Sequence, residues 1–400
     1  MLHFKKSFPN VEQVRLVKRN IHMNIGILKE IAPSERRVAL TPGGVQTLVS
    51  LGTVVYVERN AGALSFFTDD EYINAGAIIV YSPEEVINRS EIVLKIAPPA
   101  DSELKILHEG QTLFSALHLA ISKRKTIETL LENHITAIGY ELIENEWGAL
   151  PIVQTMAEIA GQISIQVAAH YLQARQGGRG VLLGSIPGVP AADVLILGAG
   201  TVGRTAARVA LGLGAKVMII DKNISRLREV ENLFQWRIST AVSDQYNIEC
   251  AVREADALIG AVLLKGEKTP HLVSEDLVKQ MKPGSVIVDI SIDQGGCVET
   301  SRPTTLTDPV YIRHGIVHYC VPNTPASVPR TATVGWTNVL LPFLREATEL
   351  GMEQVLRTNI GLSKGVCTFQ GHCTNLAAAK AFNFKNDDIQ LLLSSTSTKA

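Results

Sequence analysis

The sequence predicts an α/β protein of two domains, each built on a doubly wound, mostly parallel sheet with a cleft between them. Its 400 residues exceed the length at which a single hydrophobic core usually stops growing. Apolar β-rich runs alternate with helical stretches twice along the chain, which is typical of βαβ units. A glycine-rich turn between a strand and a helix near the middle marks the start of the second series.

The first series predicts one α/β domain that ends near residue 150. Its first helix opens with Thr41-Pro42, an N-cap followed by proline in the first turn. The predicted strands are Asn24–Leu28, Val54–Glu58, Ala77–Val80, Ile92–Lys95, Thr112–Ser115 and Thr136–Gly139. The predicted helices are Pro42–Leu51, Asp69–Ala75, Pro83–Ile87 and Lys123–Glu132.

A long predicted helix, Thr155–Arg175, and a turn-rich loop lead into the second series. After Pro322–Pro329 a further helix, Thr331–Leu350, is expected to return the chain to the first domain. The second series comprises predicted strands Val194–Leu197, Lys216–Ile220, Ala257–Ala261, Val286–Ile290 and Ile316–Tyr319, and predicted helices Thr201–Leu213, Ile224–Phe234 and Val273–Gln280.

Composition favours a small-molecule partner. The 38 basic and 39 acidic residues nearly cancel, so we expect neither nucleic acid nor an anionic membrane as partner. The longest apolar runs fall short of the roughly 20 residues that cross a bilayer. The five cysteines include no CxxC pair, so neither disulfides nor a metal site is expected. These features predict a cytoplasmic protein.

The opening segment, residues 1–22, is basic and lacks the apolar core and cleavage site of a secretory signal. We interpret it as an N-terminal extension. A transit peptide and a true start at Met23 are the alternatives.

The glycine-rich turn predicts a Rossmann-type dinucleotide site. Gly198 permits a tight turn, Gly200 lets the backbone approach a pyrophosphate, and Gly203 lets the helix pack closely on the strand. Asp221 ends the next strand, where a carboxylate accepts hydrogen bonds from a ribose. A carboxylate there favours NAD over NADP, although the adjacent Lys222 weakens that preference. The alternative is a glycine-rich turn with a surface aspartate.

Four charged residues are candidates for the chemistry. Arg37 precedes a predicted helix and could hold a carboxylate in bidentate fashion, the alternative being a surface arginine in a turn. Lys95 and His118 lie at the ends of apolar strands, where open α/β sheets bind ligands. A lysine with a buried stem and a hydrogen-bonded core histidine are their alternatives. Asp293 lies in a glycine-rich loop after a strand and could face a nicotinamide, or could be a solvated carboxylate.

Together these segments closely resemble the alanine dehydrogenase family, and more distantly the cofactor domain of proton-translocating transhydrogenases. The resemblance runs from Met23 to about Gly371. It rests on Arg37–Pro42, Leu117–Ala120, Gly177–Gly180, Ile186–Val189, Gly198–Thr201, Met281–Gly284, Ile292–Gly296 and Pro325–Pro329.

The resemblance implies reversible oxidative deamination of L-alanine to pyruvate and ammonium with NAD. Arg37 and Lys95 would bind the substrate, His118 would be the general acid/base, and Asp293 the second catalytic group. A histidine with an ordinary pKa near 6.5 suits this proton transfer. On the cofactor side the resemblance adds Arg226 and Ser243 near the ribose, Val262 and Leu263 beside the adenosine, Arg302, and Asn323 near the nicotinamide.

The resemblance also implies a homo-oligomer, a hexamer, and a discontinuous catalytic domain. Residues 23–150 with about 326–400 would form the substrate domain, either flavodoxin-like or Rossmann-like. Residues 151–325 would form the NAD-binding domain.

Three positions depart from the family pattern. Ala157 replaces a serine that contacts the cofactor, and Thr324 replaces methionine near the nicotinamide. Ile96-Ala97-Pro98-Pro99 replaces Val-Lys-Glu-Pro after Lys95. Three other functions compete with this interpretation: a transhydrogenase-type NAD(H)-binding domain, a silent NAD-binding protein, and a dehydrogenase of another small amino or 2-oxo acid.

Overall fold

The computed structural model describes residues 23–119, 122–263 and 268–396. The predicted N-terminal extension lies outside these ranges. The chain forms two compact units. Unit 1 comprises the described residues up to Glu30, together with Val38–Leu150 and those from Thr337 onward. Unit 2 comprises Ile31–Arg37 and Pro151–Trp336.

Unit 1 contains an eight-stranded sheet of order β15-β14-β6-β5-β4-β1-β2-β3. The strands from β6 to β3 are parallel, whereas β14 is antiparallel to both β6 and β15. The parallel strands follow the order 3-2-1-4-5-6, so unit 1 is Rossmann-like rather than flavodoxin-like. The bounds are β1 Asn24–Ile27, β2 Val54–Glu58, β3 Ile78–Val80, β4 Ile92–Leu94, β5 Thr112–Ser115, β6 Thr136–Gly139, β14 Val366–Phe369 and β15 His372–Cys373.

Polar side chains fix where several helices of unit 1 begin. Thr41 accepts a hydrogen bond from the Gly44 N–H, as the predicted N-cap requires. Thr68 and Glu71 form a capping box at the next helix. The helices that begin in this unit are α1 Pro42–Ser50, α2 Asp69–Asn74, α3 Pro83–Asn88, α4 Asp101–Leu104, α5 Arg124–Glu132, α12 Met352–Thr358, α13 Ile360–Ser363, α14 Leu376–Phe382 and α15 Ile389–Thr396.

Unit 2 contains a seven-stranded sheet of order β12-β13-β11-β10-β7-β8-β9. All neighbouring strands are parallel except the edge strand β12, which is antiparallel to β13. The parallel strands again follow the order 3-2-1-4-5-6, so both sheets confirm the predicted fold class. The bounds are β7 Asp193–Leu197, β8 Lys216–Asp221, β9 Ser239–Val242, β10 Ala257–Gly260, β11 Val286–Asp289, β12 Val310–Arg313 and β13 Ile316–Tyr319.

The helices of unit 2 cover both faces of this sheet, and one long helix, α11, carries the chain from unit 2 back into unit 1. No helix within the described ranges meets the length and apolarity that a membrane crossing requires. The bounds are α6 Pro151–Tyr171, α7 Thr201–Gly212, α8 Ile224–Leu233, α9 Gln245–Glu254, α10 Glu275–Val278 and α11 Pro329–Leu350.

Two predicted helices were misplaced. The helix predicted at Thr155–Arg175 begins at Pro151, because proline has no N–H to leave unpaired in a first turn, and it ends at Tyr171. The helix predicted at Val273–Gln280 spans only Glu275–Val278. Ser274 is its N-cap, and Val273 instead forms a parallel bridge with Val298.

Candidate active site

The predicted cofactor residues of unit 2 follow the carboxyl ends of its parallel strands, where open α/β sheets bind ligands. The chain order of the sheet reverses between β7 and β10, which makes this the topological switch point. Gly198, Gly200 and Gly203 follow β7, Asp221 ends β8, Ser243 follows β9, Val262 and Leu263 follow β10, Asp293 follows β11, and Asn323 follows β13.

The three glycines of the turn have different surroundings, which explain differently why a side chain is absent at each position. Gly198 has φ +108°, and a Cβ there would lie 2.4 Å from the Ala261 carbonyl oxygen. A Cβ on Gly203 would lie 1.9 Å from the Gly198 carbonyl oxygen. Gly200, the N-cap of α7, would place a Cβ with nothing within 4 Å. The space in front of the α7 N-terminus is therefore open, and a pyrophosphate fits there against unpaired N–H groups.

Asp221 binds the glycine turn itself. Its Oδ2 accepts the Ala199 N–H at 2.7 Å, and its Oδ1 accepts the Asn223 N–H at 2.8 Å. The residue is 8% exposed, so the alternative of a surface aspartate is wrong. Each carboxylate oxygen can accept a second hydrogen bond, so contact with a ribose remains a prediction.

The other predicted adenosine contacts are more open. Arg226 is exposed in the first turn of α8, and its N–H binds the N-cap side chain of Asn223. Ser243 is half-buried, with its N–H bonded to the Asp221 carbonyl at 3.1 Å. The Val262 N–H donates to the Ser291 hydroxyl at 2.9 Å, and the neighbouring Leu263 is exposed.

Arg37 lies in a buried ion pair, not on the surface as the alternative would have it. Its Nε and Nη2 bind the two oxygens of Glu35 at 2.7 and 2.6 Å, and the two side chains are 7% and 4% exposed. Nη2 also donates to Asn323 Oδ1 at 3.0 Å. Nη1 contacts only the Met156 sulfur, at 3.2 Å, among the described residues. The guanidinium lies 5.3 Å from the Trp336 ring centroid. The Nε and Nη2 edge of the Arg37 guanidinium therefore binds Glu35, and Nη1 is the nitrogen that could bind a ligand.

Asn323 connects this pair to Asp293. Its Nδ2 donates to Glu35 Oε2 at 3.1 Å, and its backbone N–H donates to Asp293 Oδ1 at 2.9 Å. Asn323 has φ +51°, a conformation that asparagine tolerates better than most residues. We call Arg37, Glu35, Asn323 and Asp293 the Glu35 network. It brings together three residues that were predicted separately.

Glu35 is the member of this network that sequence reasoning missed. Burial by itself raises the pKa of its carboxyl, but the hydrogen bonds and charge of Arg37, with the contact of Asn323, lower the pKa below its ordinary value. Glu35 is therefore a carboxylate at neutral pH. Its position two residues before Arg37 was the available signal, since that spacing permits the pair.

Lys95 lies at the switch point of the unit 1 sheet, directly after β4. Its Nζ lies 3.2 Å from Glu30 Oε2 and 3.0 Å from Glu103 Oε1, and the side chain is 1% exposed. Neither contact has the angles of a hydrogen bond. Glu30 also accepts the N–H groups that follow Lys95, at 2.5 and 3.2 Å. Two carboxylates flank the ammonium, but its N–H donors have no hydrogen-bond partner among the described residues, so the predicted substrate contact stays a prediction.

His118 is presented to solvent. It lies three residues beyond β5, has φ +44°, and its side chain is 55% exposed. Its backbone N–H donates to Glu141 Oε1 at 2.6 Å, and that oxygen lies 3.7 Å from Nδ1. The alternative of a core histidine is therefore wrong. Leu117 and Leu119 on either side are buried, so the loop is anchored while the imidazole remains accessible.

The family follows from the whole sequence. Residues 26–160 match the model described as "Alanine dehydrogenase/PNT, N-terminal domain", and residues 164–376 match "Alanine dehydrogenase/PNT, C-terminal domain". The chain belongs to the alanine dehydrogenase/PNT family.

Individual members of the family match over nearly the full chain. A protein of Staphylococcus epidermidis named "Alanine dehydrogenase" is 47% identical over 92% of this chain and 99% of its own length. The solved structure of an L-alanine dehydrogenase is 44% identical with a TM-score of 0.86, covering 90% of this chain and 99% of that one. A transhydrogenase structure from Sinorhizobium meliloti is 25% identical with a TM-score of 0.76, and the match covers 88% of this chain and 99% of that one.

Membership of the alanine dehydrogenase/PNT family implies a nicotinamide dinucleotide as cofactor and small molecules as substrates. The residues of unit 2 fit such a cofactor, because the glycine turn leaves open space only where a pyrophosphate would lie. Within the described ranges, no group of three or more His, Cys, Asp or Glu side chains is arranged to hold a metal ion.

Proposed function

We propose that this chain catalyses the NAD-dependent oxidative deamination of L-alanine to pyruvate and ammonium, and the reverse reaction. The observation that carries this proposal is the 47% identity to an alanine dehydrogenase over 92% of the chain. The intact glycine turn and the Glu35 network support it independently.

Unit 2 holds NAD in this proposal. The α7 N-terminus binds the pyrophosphate, Asp221, Arg226 and Ser243 contact the ribose, and Val262 and Leu263 lie beside the adenosine. Asn323 lies near the nicotinamide. When bound, NAD supplies the hydride acceptor for the substrate α-carbon.

Arg37 binds the substrate carboxylate through Nη1, because Glu35 occupies its bidentate face. Glu35 and Asn323 hold the guanidinium in one orientation, so the remaining N–H groups point in a fixed direction. Asp293 supports Asn323 and is the second catalytic group of the proposal.

His118 is the general acid/base. As a base it removes a proton from the substrate ammonium, since an amine must be neutral before its α-carbon can lose a hydride. It then activates the water that hydrolyses the imine to pyruvate and ammonium. Its imidazole is 55% exposed, so solvent water can reach it. Lys95 binds the substrate together with Arg37 in this proposal; its buried ammonium is flanked by Glu30 and Glu103 and has no hydrogen-bond partner among the described residues.

The same chemistry on another small amino acid is the second candidate. It is favoured by Ala97 and Pro98, which stand where the family pattern has Lys-Glu. NADH absorbance across a panel of amino acids, and across 2-oxo acids with ammonium, decides between the two. Alanine and pyruvate should give the highest kcat/KM, whereas a different preferred pair supports the second candidate. NAD binding without turnover of any amino acid contradicts both.

The variant His118→Asn tests the general acid/base directly. Asparagine tolerates the positive φ of this position, so folding should not be affected. Turnover should fall by at least about two orders of magnitude, the low end for a lost general acid/base, with unchanged Tm and NADH affinity. A folded variant with near-normal alanine oxidation would exclude His118 from the chemistry.

We also propose a cytoplasmic homo-oligomer, with a hexamer as the expected assembly. Light scattering of the purified chain measures its mass directly. A monomer at working concentration would contradict the expected assembly and leave the proposed reaction untouched.

A further inference from the structure

A stack of three side chains lies on the β12–β13 hairpin of unit 2. The Arg302 guanidinium covers the Tyr311 ring, with its carbon 4.2 Å from the ring centroid. The Tyr311 ring in turn stacks on His318, with centroids 4.9 Å apart and planes inclined by 16°. Tyr311 and His318 are cross-strand partners in the antiparallel ladder. We call these three residues the Arg302 stack.

Hydrogen bonds fix both rings of the stack. The Tyr311 hydroxyl accepts the Arg302 N–H at 2.9 Å and donates to the Thr300 carbonyl at 2.7 Å. His318 Nδ1 lies 3.0 Å from the Ile316 carbonyl, which can only accept, so Nδ1 carries the proton. Nε2 is then the acceptor for the Thr300 hydroxyl at 2.7 Å. One neutral tautomer of His318 therefore satisfies every contact, and burial lowers its pKa to about 4.

Arg302 itself remains available to a ligand. The residue is exposed, and no carboxylate pairs with it among the described residues. Its backbone and one face of its guanidinium are held by a single side chain, Tyr311. The planar edge of a guanidinium presents N–H groups that match a phosphate, and covering one face leaves that edge free.

We propose that Tyr311 is a positioning residue that presents Arg302 to a phosphate group of the dinucleotide. The inference rests on the proposed function and on the family resemblance, which adds Arg302 to the cofactor contacts. Tyr311 restricts the arginine side chain before binding, so that less conformational entropy is lost when the phosphate arrives. The neutral imidazole ring of His318 packs against the other face of the Tyr311 ring.

The affinity for NADH, measured by fluorescence titration, tests this with three variants. Arg302→Ala should raise Kd at least about tenfold, because it removes a charge-assisted contact with phosphate. Tyr311→Leu should raise Kd by about threefold or more, within the range of a lost cation–π contact. Tyr311→Leu added to Arg302→Ala should have no further effect, because the residue acts through the arginine.

Two further variants separate positioning from general damage. Tyr311→Phe keeps the ring and loses only the hydroxyl, so it should fold and raise Kd by less than Tyr311→Leu; it carries the test if the leucine variant fails to fold. Tyr81→Leu removes an exposed ring beneath Arg59 in unit 1, 5.7 Å from the guanidinium, and should leave Kd unchanged.

The outcomes distinguish the two levels of the proposal. If Arg302→Ala leaves Kd unchanged, the proposed cofactor contact of Arg302 is wrong. If Arg302→Ala weakens binding but Tyr311→Leu does not, the contact stands and the positioning role is overturned. Full additivity of the double variant would also overturn it, since Tyr311 would then act independently of Arg302.

Discussion

Replacing Glu35 by glutamine removes the negative charge at the centre of the Glu35 network with almost no change in shape. Glu35 Oε1 accepts from the N–H groups of Arg36 and Arg37 and from Arg37 Nε, and Oε2 accepts from Arg37 Nη2 and Asn323 Nδ2. Glutamine keeps the Oε1 acceptor. Its amide nitrogen, however, would take the place of Oε2 and would face two other donors, Arg37 Nη2 and Asn323 Nδ2.

The expected loss of stability follows from the burial of the pair. Removing one partner of a buried ion pair costs about 3–5 kcal/mol, and we expect about 3 kcal/mol because the Oε1 contacts survive. Neither side chain is more than 7% exposed, so solvent does not reduce this figure. At about 2–4 °C per kcal/mol for a unit of this size, Tm should fall by about 6–12 °C.

Activity should fall further than stability explains. With Glu35 neutral, the guanidinium of Arg37 loses its bidentate partner, and a small displacement of a binding group can cost about 10²-fold in rate. We therefore expect kcat/KM for alanine to fall by about 10²-fold while Kd for NADH changes little. Glu229→Gln is the matched control. Its contact with Arg204 is exposed and 3.6 Å long, so it should change stability by less than about 1 kcal/mol.

The pH dependence of Tm provides a second test. Because the pKa of Glu35 is lowered in the folded chain, its carboxylate stabilises the fold at pH values above its ordinary pKa, and this contribution is lost as pH falls through the folded pKa. The Tm difference between wild type and Glu35→Gln should therefore be full at neutral pH and shrink under acidic conditions. A variant with wild-type Tm and alanine kinetics would refute the reasoning, as would a Tm difference that grows on acidification.

Four other substitutions have expected outcomes that follow from the geometry. Gly200→Ala should keep the wild-type Tm and lose NADH affinity, whereas Gly203→Ala should lower Tm, because only a Cβ at position 203 would meet backbone atoms. Calorimetry measures Tm and an NADH titration measures affinity. The same result for both variants would contradict this explanation. Lys95→Ala should abolish turnover by removing the proposed substrate contact, leave NADH binding nearly intact, and cost about 3–5 kcal/mol of stability, because Glu30 and Glu103 lose the cation between them. An equal loss of NADH affinity would instead place Lys95 at the dinucleotide. Wild type should use NAD far better than NADP, and Asp221→Asn should narrow that ratio of kcat/KM; a wild-type preference for NADP would show that Asp221 does not select against the 2′-phosphate.

Local patterns were sufficient for most of the fold. β2, β5, β6 and β13 have the bounds that their apolar runs predicted. The strands that were missed have weak patterns or little length. β9 and β12 are half exposed at the two edges of the unit 2 sheet, and each has at most three consecutive apolar residues. β14 is buried, but it follows a helical region and is antiparallel to β6, so the alternation of strands and helices does not mark it.

The candidate site divides in the same way. The glycine turn could be predicted because the backbone atoms that require glycine lie within a few residues of it or just after the neighbouring strand. The contact between Glu35 and Asn323 joins residues 288 positions apart, and no local pattern encodes it. The ion pair of Lys95 likewise depends on Glu30, which is distant in sequence, so no local pattern predicted it.

The interleaved order of the two units determines when each can be completed during synthesis. Residues 151–336 form an almost contiguous unit, so they can fold once they leave the ribosome. Unit 1 cannot, because β6 pairs with β14, and Ile138 faces Val366, which lies 228 positions later in the chain. Until the last part of the chain emerges, β6 is an edge strand with unpaired backbone groups and with side chains that are buried in the finished fold. Such an edge strand is a template for association with other chains. Chains that stop before β14 should therefore accumulate in aggregates, even though every residue of the dinucleotide turn has already been made.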